Sequence, residues 1–208
     1  MSKPYTSDLP QSPFEIIRED SRGKFITLSD HTNFPQHYQY MFHTPVKERS
    51  GDSKVRAPYN KVAINLIVYA DKDPVNNTSF SQYMDVDEFT LFSDKVNRLN
   101  RLEPGAKMEI QSFIGFSEKS KTARSLKVIA QPAKTDPTKV SFMLSFQKGE
   151  ATPNSSGVGF SWGKDCRSGW IVTDQDTLRR FCLVGRDHFL ASRTAAITRC
   201  YESLYTKK

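Results

Sequence analysis

The chain has 208 residues, 37% hydrophobic and 25% charged, with a formal net charge of +7, which describes an ordinary soluble domain with one sizeable core. No run approaches the roughly 18 consecutive apolar residues of a transmembrane helix, and the opening Met1-Ser-Lys-Pro-Tyr-Thr-Ser-Asp8 has no apolar signal region. Three widely spaced cysteines, Cys166, Cys182 and Cys200, make no disulfide framework, so the expectation is a cytoplasmic protein with reduced, structural thiols.

Residues 1–23 read as an N-terminal arm. Alternating apolar and polar residues then predict strands over Lys24–Ser29, His37–Thr44, Lys61–Asp71 and Ser79–Tyr83. Between the second and third lies a loop rich in Gly, Ser and charge, Lys47 to Arg56, that reads as an exposed finger. A helix is expected from Asp85 to Leu99, closed by the Leu102-Glu-Pro104-Gly105 turn. Strands follow over Met108–Phe116, Ser125–Gln131, Lys139–Gln147 and Val158–Gly163, with Trp170–Val172 as an extension. A second helix is expected from Asp174 to Val184, broken or bent at Gly185, and a further helical segment over Asp187–Tyr205.

Two stretches about ninety residues apart align: Tyr83-Met-Asp85-Val-Asp87-Glu-Phe89-Thr-Leu-Phe92 and Val172-Thr-Asp174-Gln-Asp176-Thr-Leu178-Arg-Arg-Phe181. In each, an Asp stands at a helix start, a second acid follows in the first turn, and apolar residues fall four and seven positions on. An Asp N-cap accepts orphan backbone N–H bonds, and an acid in the first turn meets the positive end of the helix dipole. With four strands before each helix, the pattern predicts an α+β chain: a tandem β-β-β-β-α repeat over 24–190, its units 24–104 and 105–190, packed as one domain with a helical extension over 187–208.

Charge is distributed unevenly. Residues 1–104 carry 13 basic against 14 acidic side chains, whereas 105–208 carry 17 against 9. A basic surface gains affinity for phosphates by releasing counterions. Lys119, Lys121 and Arg124 crowd one hairpin loop, Lys164 and Arg167 another, and Arg179 and Arg180 lie in the second helix.

Period two sorts the second-half strands into faces. Met108, Ile110, Ile114 and Phe116 point inward with Leu126, Val128, Ala130 and with Val140, Phe142, Leu144, Phe146. The outward set is then polar and flat, with Lys127 among the apolar residues Phe113, Ile129 and Met143. Two readings of that face stand: a stacking platform for bases, as single-strand binders use, or a patch covered by the N-terminal arm or another subunit. From 188 on, Phe189, Leu190, Ala196, Ile197, Cys200, Tyr201 and Leu204 form one helical stripe that packs on the sheets or pairs with a second copy, and the expectation is a homo-oligomer.

Signals for catalysis are poor, and the chain is read as no enzyme, with no cofactor and no metal site. His31, His37 and His43 recur every six residues with no Cys or carboxylate at ligand spacing. No nucleophile elbow occurs. Gly157-Val-Gly159-Phe-Ser-Trp-Gly163 has the wrong spacing for a dinucleotide fingerprint, and no helix follows it directly.

Four strands then a helix, repeated once, together with the Asp-x-Asp-x-[Phe/Leu]-x-x-Phe segments and the basic second half, resembles the Whirly-type fold of single-stranded-DNA-binding transcription coactivators. The resemblance covers roughly 24–190. It implies two packed antiparallel sheets, oligomerisation through helices, and binding of single-stranded nucleic acid along the sheets with little sequence preference. The plant members' lysine-rich strand motif is absent, so no binding residue carries over. The expectation is a binder of single-stranded DNA or RNA, DNA favoured, in which Lys119, Lys121, Arg124, Lys127, Lys164 and Arg167 capture phosphates while Phe113, with Tyr69 or Trp170, stacks on bases. The chain ends Tyr205-Thr-Lys-Lys208, so no acidic recruiting tail is expected. The alternative is a protein-binding or structural β module whose sheet face is an interface.

Overall fold

The computed structural model describes residues 15–21, 23–32, 61–69, 77–154 and 159–205. The first unit is an antiparallel meander of β1 (Glu15–Ser21), β2 (Lys24–His31), β3 (Lys61–Val68) and β4 (Thr78–Met84), in that spatial order, followed by helix α1 (Val86–Arg98). The second contains β5 (Met108–Ser117), β6 (Thr122–Pro132), β7 (Val140–Pro153), β8 (Phe160–Trp162) and β9 (Arg167–Asp174), followed by α2 (Gln175–Tyr205). The chain is therefore α+β, two antiparallel sheets and two helices, with the second helix closing the described chain.

Three expectations need correction. The sheet begins inside the segment read as an arm: Gly23, at φ 72°, turns β1 back onto β2. Among the described residues the fourth strand of the second unit is β9 rather than β8, because β7 is long enough to pair with β9 through Lys148 and then with β8 from Ala151. The predicted strand over 37–44 lies outside the described residues.

The third correction concerns Gly185. It sits buried within an unbroken α2, and a Cβ there would land on Leu28 Cδ2 and lie 2.7 Å from the Phe89 ring. This glycine lets α2 approach β2 and α1 rather than ending the helix.

The two aligned Asp residues cap the two helices. Asp174 accepts from the Thr177 N–H at 2.8 Å and the Thr177 hydroxyl at 2.7 Å. At the matching place in the first unit the Asp85 N–H donates to Glu88 Oε2 at 2.8 Å, while the Asp85 carboxylate pairs with Lys61 at 2.8 Å. Burial, the largest single influence, pushes the Asp174 carboxyl up, but the Thr177 bonds and backbone N–H groups together hold it below the usual carboxylate range. One turn on, Phe89 and Leu178, and then Phe92 and Phe181, are fully buried at equivalent positions.

One core joins the units. Phe89 meets Phe189 edge-on at 5.8 Å between ring centres, Phe92 meets Phe113 at 5.7 Å, and Phe80 lies 6.3 Å from Phe146. Each such buried ring contributes about 1.5–3 kcal/mol relative to exposure. Cys166, Cys182 and Cys200 form no disulfide with one another, and burial pushes the Cys182 thiol up to about 12, with a Ser93 hydrogen bond pulling it back. α1 and α2 are fastened end to side: Arg179 Nη2 donates to the Leu99 carbonyl at 2.9 Å and to Asn100 Oδ1 at 2.8 Å, and Gln175 Nε2 to the Leu99 carbonyl at 2.6 Å. Arg180 forks onto Glu19 of β1 at 2.7–3.0 Å. Arg179 and Arg180 are thus both spent on protein contacts.

Candidate nucleic-acid interface

Three adjacent strands of the second sheet each carry an inward-facing row that ends in a cation. Along β6 the row is Ala130, Val128, Leu126 and then Arg124; along β7 it is Phe142, Leu144, Phe146 and then Lys148; along β9 it is Thr173, Ile171, Gly169 and then Arg167. The register places the three cations opposite one another, Arg124 to Lys148 and Lys148 to Arg167. Neighbouring strands lie about 4.8 Å apart, so the three residues' Cα positions fall within about 10 Å. Lys148 and Arg167 are exposed and Arg124 is half-buried. Among the described residues no carboxylate lies within salt-bridge range of any of them. Like charges directly opposite on adjacent strands repel.

The other predicted cations flank this rung or face away from it. Lys119 and Lys121 are exposed in the β5–β6 turn, where Lys121 adopts φ 50° and its carbonyl accepts from the Ala151 N–H at 3.1 Å. That bond ties the turn to β7. Lys164 is exposed in the β8–β9 turn, held against β7 by the Gly163 N–H donating to the Glu150 carbonyl at 2.8 Å. Lys127 lies on the opposite face and pairs with Glu109 at 2.9 Å.

Phe113 is not a surface ring. It is 4% exposed and packs in the core on Phe92. The cause is a β-bulge: the β5–β6 register slips between Glu109 and Gln111, Ile110 being the extra residue, and every later side chain of β5 changes face. Ile110 and Phe113 therefore both point inward, and Ile114, expected inside, is 49% exposed. The outer face of the sheet accordingly carries Ile114, Lys127, Ile129, Met143, Trp170 and Val172.

Trp170 is 54% exposed on that face. The Lys24 ammonium, from the first sheet, lies 3.9 Å from its ring centre and donates to its carbonyl at 2.8 Å. Tyr69 belongs to the first sheet, where its ring leans on Phe25 at 5.3 Å and its hydroxyl accepts from Arg18 at 2.9 Å. Arg18 also stacks over Phe25 at 3.8 Å and forks onto Asp20, which, ahead of the Tyr69 bond, holds its guanidinium protonated well above the ordinary range. The structure thus separates the predicted stackers: Tyr69 on one sheet, Trp170 on the other, Phe113 in the core.

Beside the cationic rung, β4 and the β5–β6 hairpin enclose a cleft of about 290 Å³ whose lining includes Gln82, Tyr83, Phe116, Ser120, Thr122 and Arg124. The Arg124 guanidinium lies 5.6 Å from the Tyr83 ring centre. Gln82 is 2% exposed; its Nε2 donates to the Tyr83 carbonyl at 3.0 Å, and its buried Oε1 accepts from no group among the described residues. A buried acceptor left unpaired costs about 1–3 kcal/mol.

Sequence reasoning missed Lys148, Lys24 and Gln82. Lys148 was legible: continuing the β7 alternation one step past Gln147 reaches a lysine on the apolar side. Among the described residues no cluster of three His, Cys, Asp or Glu side chains is placed to hold a metal ion, and no helix is long and apolar enough to cross a membrane. No protein-family model matches the chain, and no curated protein or solved structure matches it significantly.

Proposed function

We propose that the chain binds single-stranded nucleic acid, DNA in the first instance, with the β6–β7–β9 end of its second sheet as the phosphate-binding surface and little sequence preference. The observation that supports this most is the rung Arg124–Lys148–Arg167. Three cations in register, with no carboxylate in range among the described residues, repel one another, and a polyanion relieves the repulsion while releasing its own counterions. Lys119, Lys121 and Lys164, on the turns at that end, extend the positive surface. The repeated strand-and-helix order of the sequence, which resembles the Whirly-type pattern, is a further reason for this reading. Binding to an unstructured oligonucleotide and its duplex, measured across a range of salt, tests the reading. The expected result is tighter binding to the single strand, with a log–log salt slope of about −0.7 per neutralised phosphate. Equal or tighter binding to duplex, or affinity indifferent to salt, would sink it.

The apolar outer face, with Ile114, Trp170 and Val172 exposed around Ile129 and Met143, favours a second reading as a protein-binding module. Contiguous exposed apolar surface marks interaction sites, and affinity for a protein through this face would be insensitive to salt. Self-association is read onto α2, where Leu183, Leu190 and Tyr201 remain exposed at intervals of seven and eleven residues while Phe189 is buried in the chain's own core. Heptad spacing is what a helix needs to pair with its own copy. Sedimentation of Leu190→Glu should give a folded, smaller species than the parent; a parent that is already monomeric refutes self-association.

A further inference from the structure

We propose that the free edge of β4 takes up an extended acidic peptide as a further strand of the first sheet, with alternate acids of that peptide seated on the row Arg124, Lys148 and Arg167. This goes beyond nucleic-acid binding to a protein partner and shares only the cation row with that reading.

A strand at the edge of a sheet offers unpaired N–H and C=O groups, and proteins blunt such edges with charge, proline, bulges or a covering element. The two sheets end in β1 and β4 and in β5 and β9. β1 carries Glu15, Arg18, Glu19 and Asp20 and a register slip between Glu15 and Ile17. β5 has the slip at Ile110, whose carbonyl accepts from Lys95 at 3.4 Å. β9 is met from the first sheet by Lys24, which donates to the Trp170 carbonyl at 2.8 Å. β4, Thr78-Ser-Phe-Ser-Gln-Tyr-Met84, has neither charge nor proline, pairs with β3 without a slip, and pairs with no other strand among the described residues.

What lies beside that edge selects the occupant. The Phe80 ring of β4 fills the place where Gly169 of β9 would carry a Cβ and lies 6.3 Å from the Phe146 ring of β7, while Gln82 Nε2 is 3.8 Å from the Cβ position of Gly115 on β5. Phe146 and Gly169 stand in the row next to the cations, and Gly115 stands in the cation row itself, opposite Arg124. β4 therefore crosses the second sheet from β9 to β5 alongside the cations, and the Arg124 guanidinium comes within 5.6 Å of the Tyr83 ring centre. β3 holds the other side of β4, with Val62, Ile64 and Leu66 fully buried, so the open edge is the one toward the cations. The cleft of about 290 Å³ lined by both β4 and the β5–β6 hairpin is the gap at one end of that edge.

A strand added there lies about 4.8 Å from β4 and turns alternate side chains, about 7 Å apart, toward the second sheet. Sheets packed face to face are about 10 Å apart, a gap that a glutamate spans together with an arginine or lysine. Charge-assisted bonds then join what the ladder has already aligned. A nucleic acid can meet the cations but has no alternating N–H and C=O groups with which to continue the ladder, whereas a peptide has both. A second copy of this chain would bring its own cation row to the same place, against repulsion.

The test uses the full chain and a fluorescent, N-acetylated peptide of alternating threonine and glutamate, matched to the seven residues of β4 and followed by anisotropy. Alternate residues of a strand direct their N–H groups to opposite edges, so one version is N-methylated at every glutamate and another at every threonine. The unmethylated peptide is expected to bind, one methylated version to lose affinity about tenfold or more, and the other to keep it. Glutamine in place of glutamate, or Lys148→Gln in the protein, should weaken binding as well. Equal behaviour of the two methylated versions, whether both bind or neither does, overturns strand addition. So does an unmethylated peptide that fails to bind, or binding indifferent to glutamine or to Lys148→Gln. Should Lys148→Gln not fold, hydrogen exchange of the parent decides: slowed exchange of β4 amides on adding peptide supports the inference, and unchanged β4 amides overturn it. Oligonucleotide binding is measured apart, and its failure would remove the nucleic-acid reading while leaving the peptide result standing.

Discussion

Lys24 of the first sheet lays its ammonium over the ring of Trp170 on the last strand of the second, 3.9 Å from the ring centre, and donates to the Trp170 carbonyl at 2.8 Å. The contact joins the two units at their surface as the phenylalanine cluster joins them inside. A cation–π pair at such an exposed site contributes about 0.5–1 kcal/mol. More useful for function is what it does to the indole, which is held in place while more than half of its surface faces solvent. Under the proposed function, a ring held in this way would stack on a base without first losing side-chain freedom.

Trp170→Ala is therefore expected to weaken binding to an unstructured oligonucleotide by about 1–3 kcal/mol, the usual value of one stacked base. In the parent, binding should quench tryptophan emission, and the variant, which retains Trp162, should lose most of that quenching. Unchanged affinity in Trp170→Ala would assign the outer face to a protein partner.

Neutralising the rung separates function from stability. Replacing Arg124, Lys148 and Arg167 with Gln should flatten the log–log salt slope by about 0.7 for each phosphate that no longer meets a cation. Thermal unfolding without ligand should stay level or move upward, because like charges on facing positions no longer repel. A fall in melting temperature with an unchanged slope would make the three residues structural.

Much of this architecture was legible because its cause is local. Alternation in β2, β3, β6 and β7 follows from burying one face of a strand, and the two Asp caps follow from unsatisfied N–H groups at a helix start. What stayed hidden was set by tertiary contact. The bulge at Ile110 reverses β5 without any turn residue to announce it, so Phe113 and Ile114 exchange faces. β1 carries Ile16 and Ile17 side by side among charges, a pattern without clean alternation. Gly185 has the composition of a helix breaker and the surroundings of a packing contact, and only Leu28 and Phe89 distinguish the two. The site divides similarly: the positive turns were visible in composition, whereas the alignment of Arg124, Lys148 and Arg167 depends on registers that no single strand encodes.

The cap of α2 gives a pH-dependent prediction. The folded chain holds the Asp174 carboxyl below its ordinary range, so the unfolded chain takes up its proton first as pH falls. The stabilisation is then complete above an ordinary carboxylate value of about 4 and is lost as pH drops through the folded value. Asp174→Ala should cost about 1 kcal/mol at neutral pH. Asp174→Asn, which still accepts from the Thr177 N–H, should retain most of the cap and show a shallower loss of stability in acid. Acid unfolding curves of the parent and Asp174→Asn that superimpose would remove this carboxylate from the account.

Gly185→Ala sets two effects of opposite sign against each other. Within a helix, alanine is favoured over glycine by about 0.8–1.0 kcal/mol, since it restricts the unfolded backbone. Against this, the added methyl would sit 2.7 Å from Phe89 Cζ and on top of Leu28 Cδ2, both side chains fully buried in the core. Overpacking of that kind typically costs about 1–3 kcal/mol, with separation of the packed elements as the alternative. The net expectation is destabilisation of about 1–2 kcal/mol in urea unfolding, and for Gly185→Leu a chain that does not fold around α2. A glycine that merely broke the helix would give the opposite result, with alanine raising stability. The sign of this one substitution therefore decides whether α2 is a continuous helix seated on Leu28 and Phe89 or two segments joined at a bend.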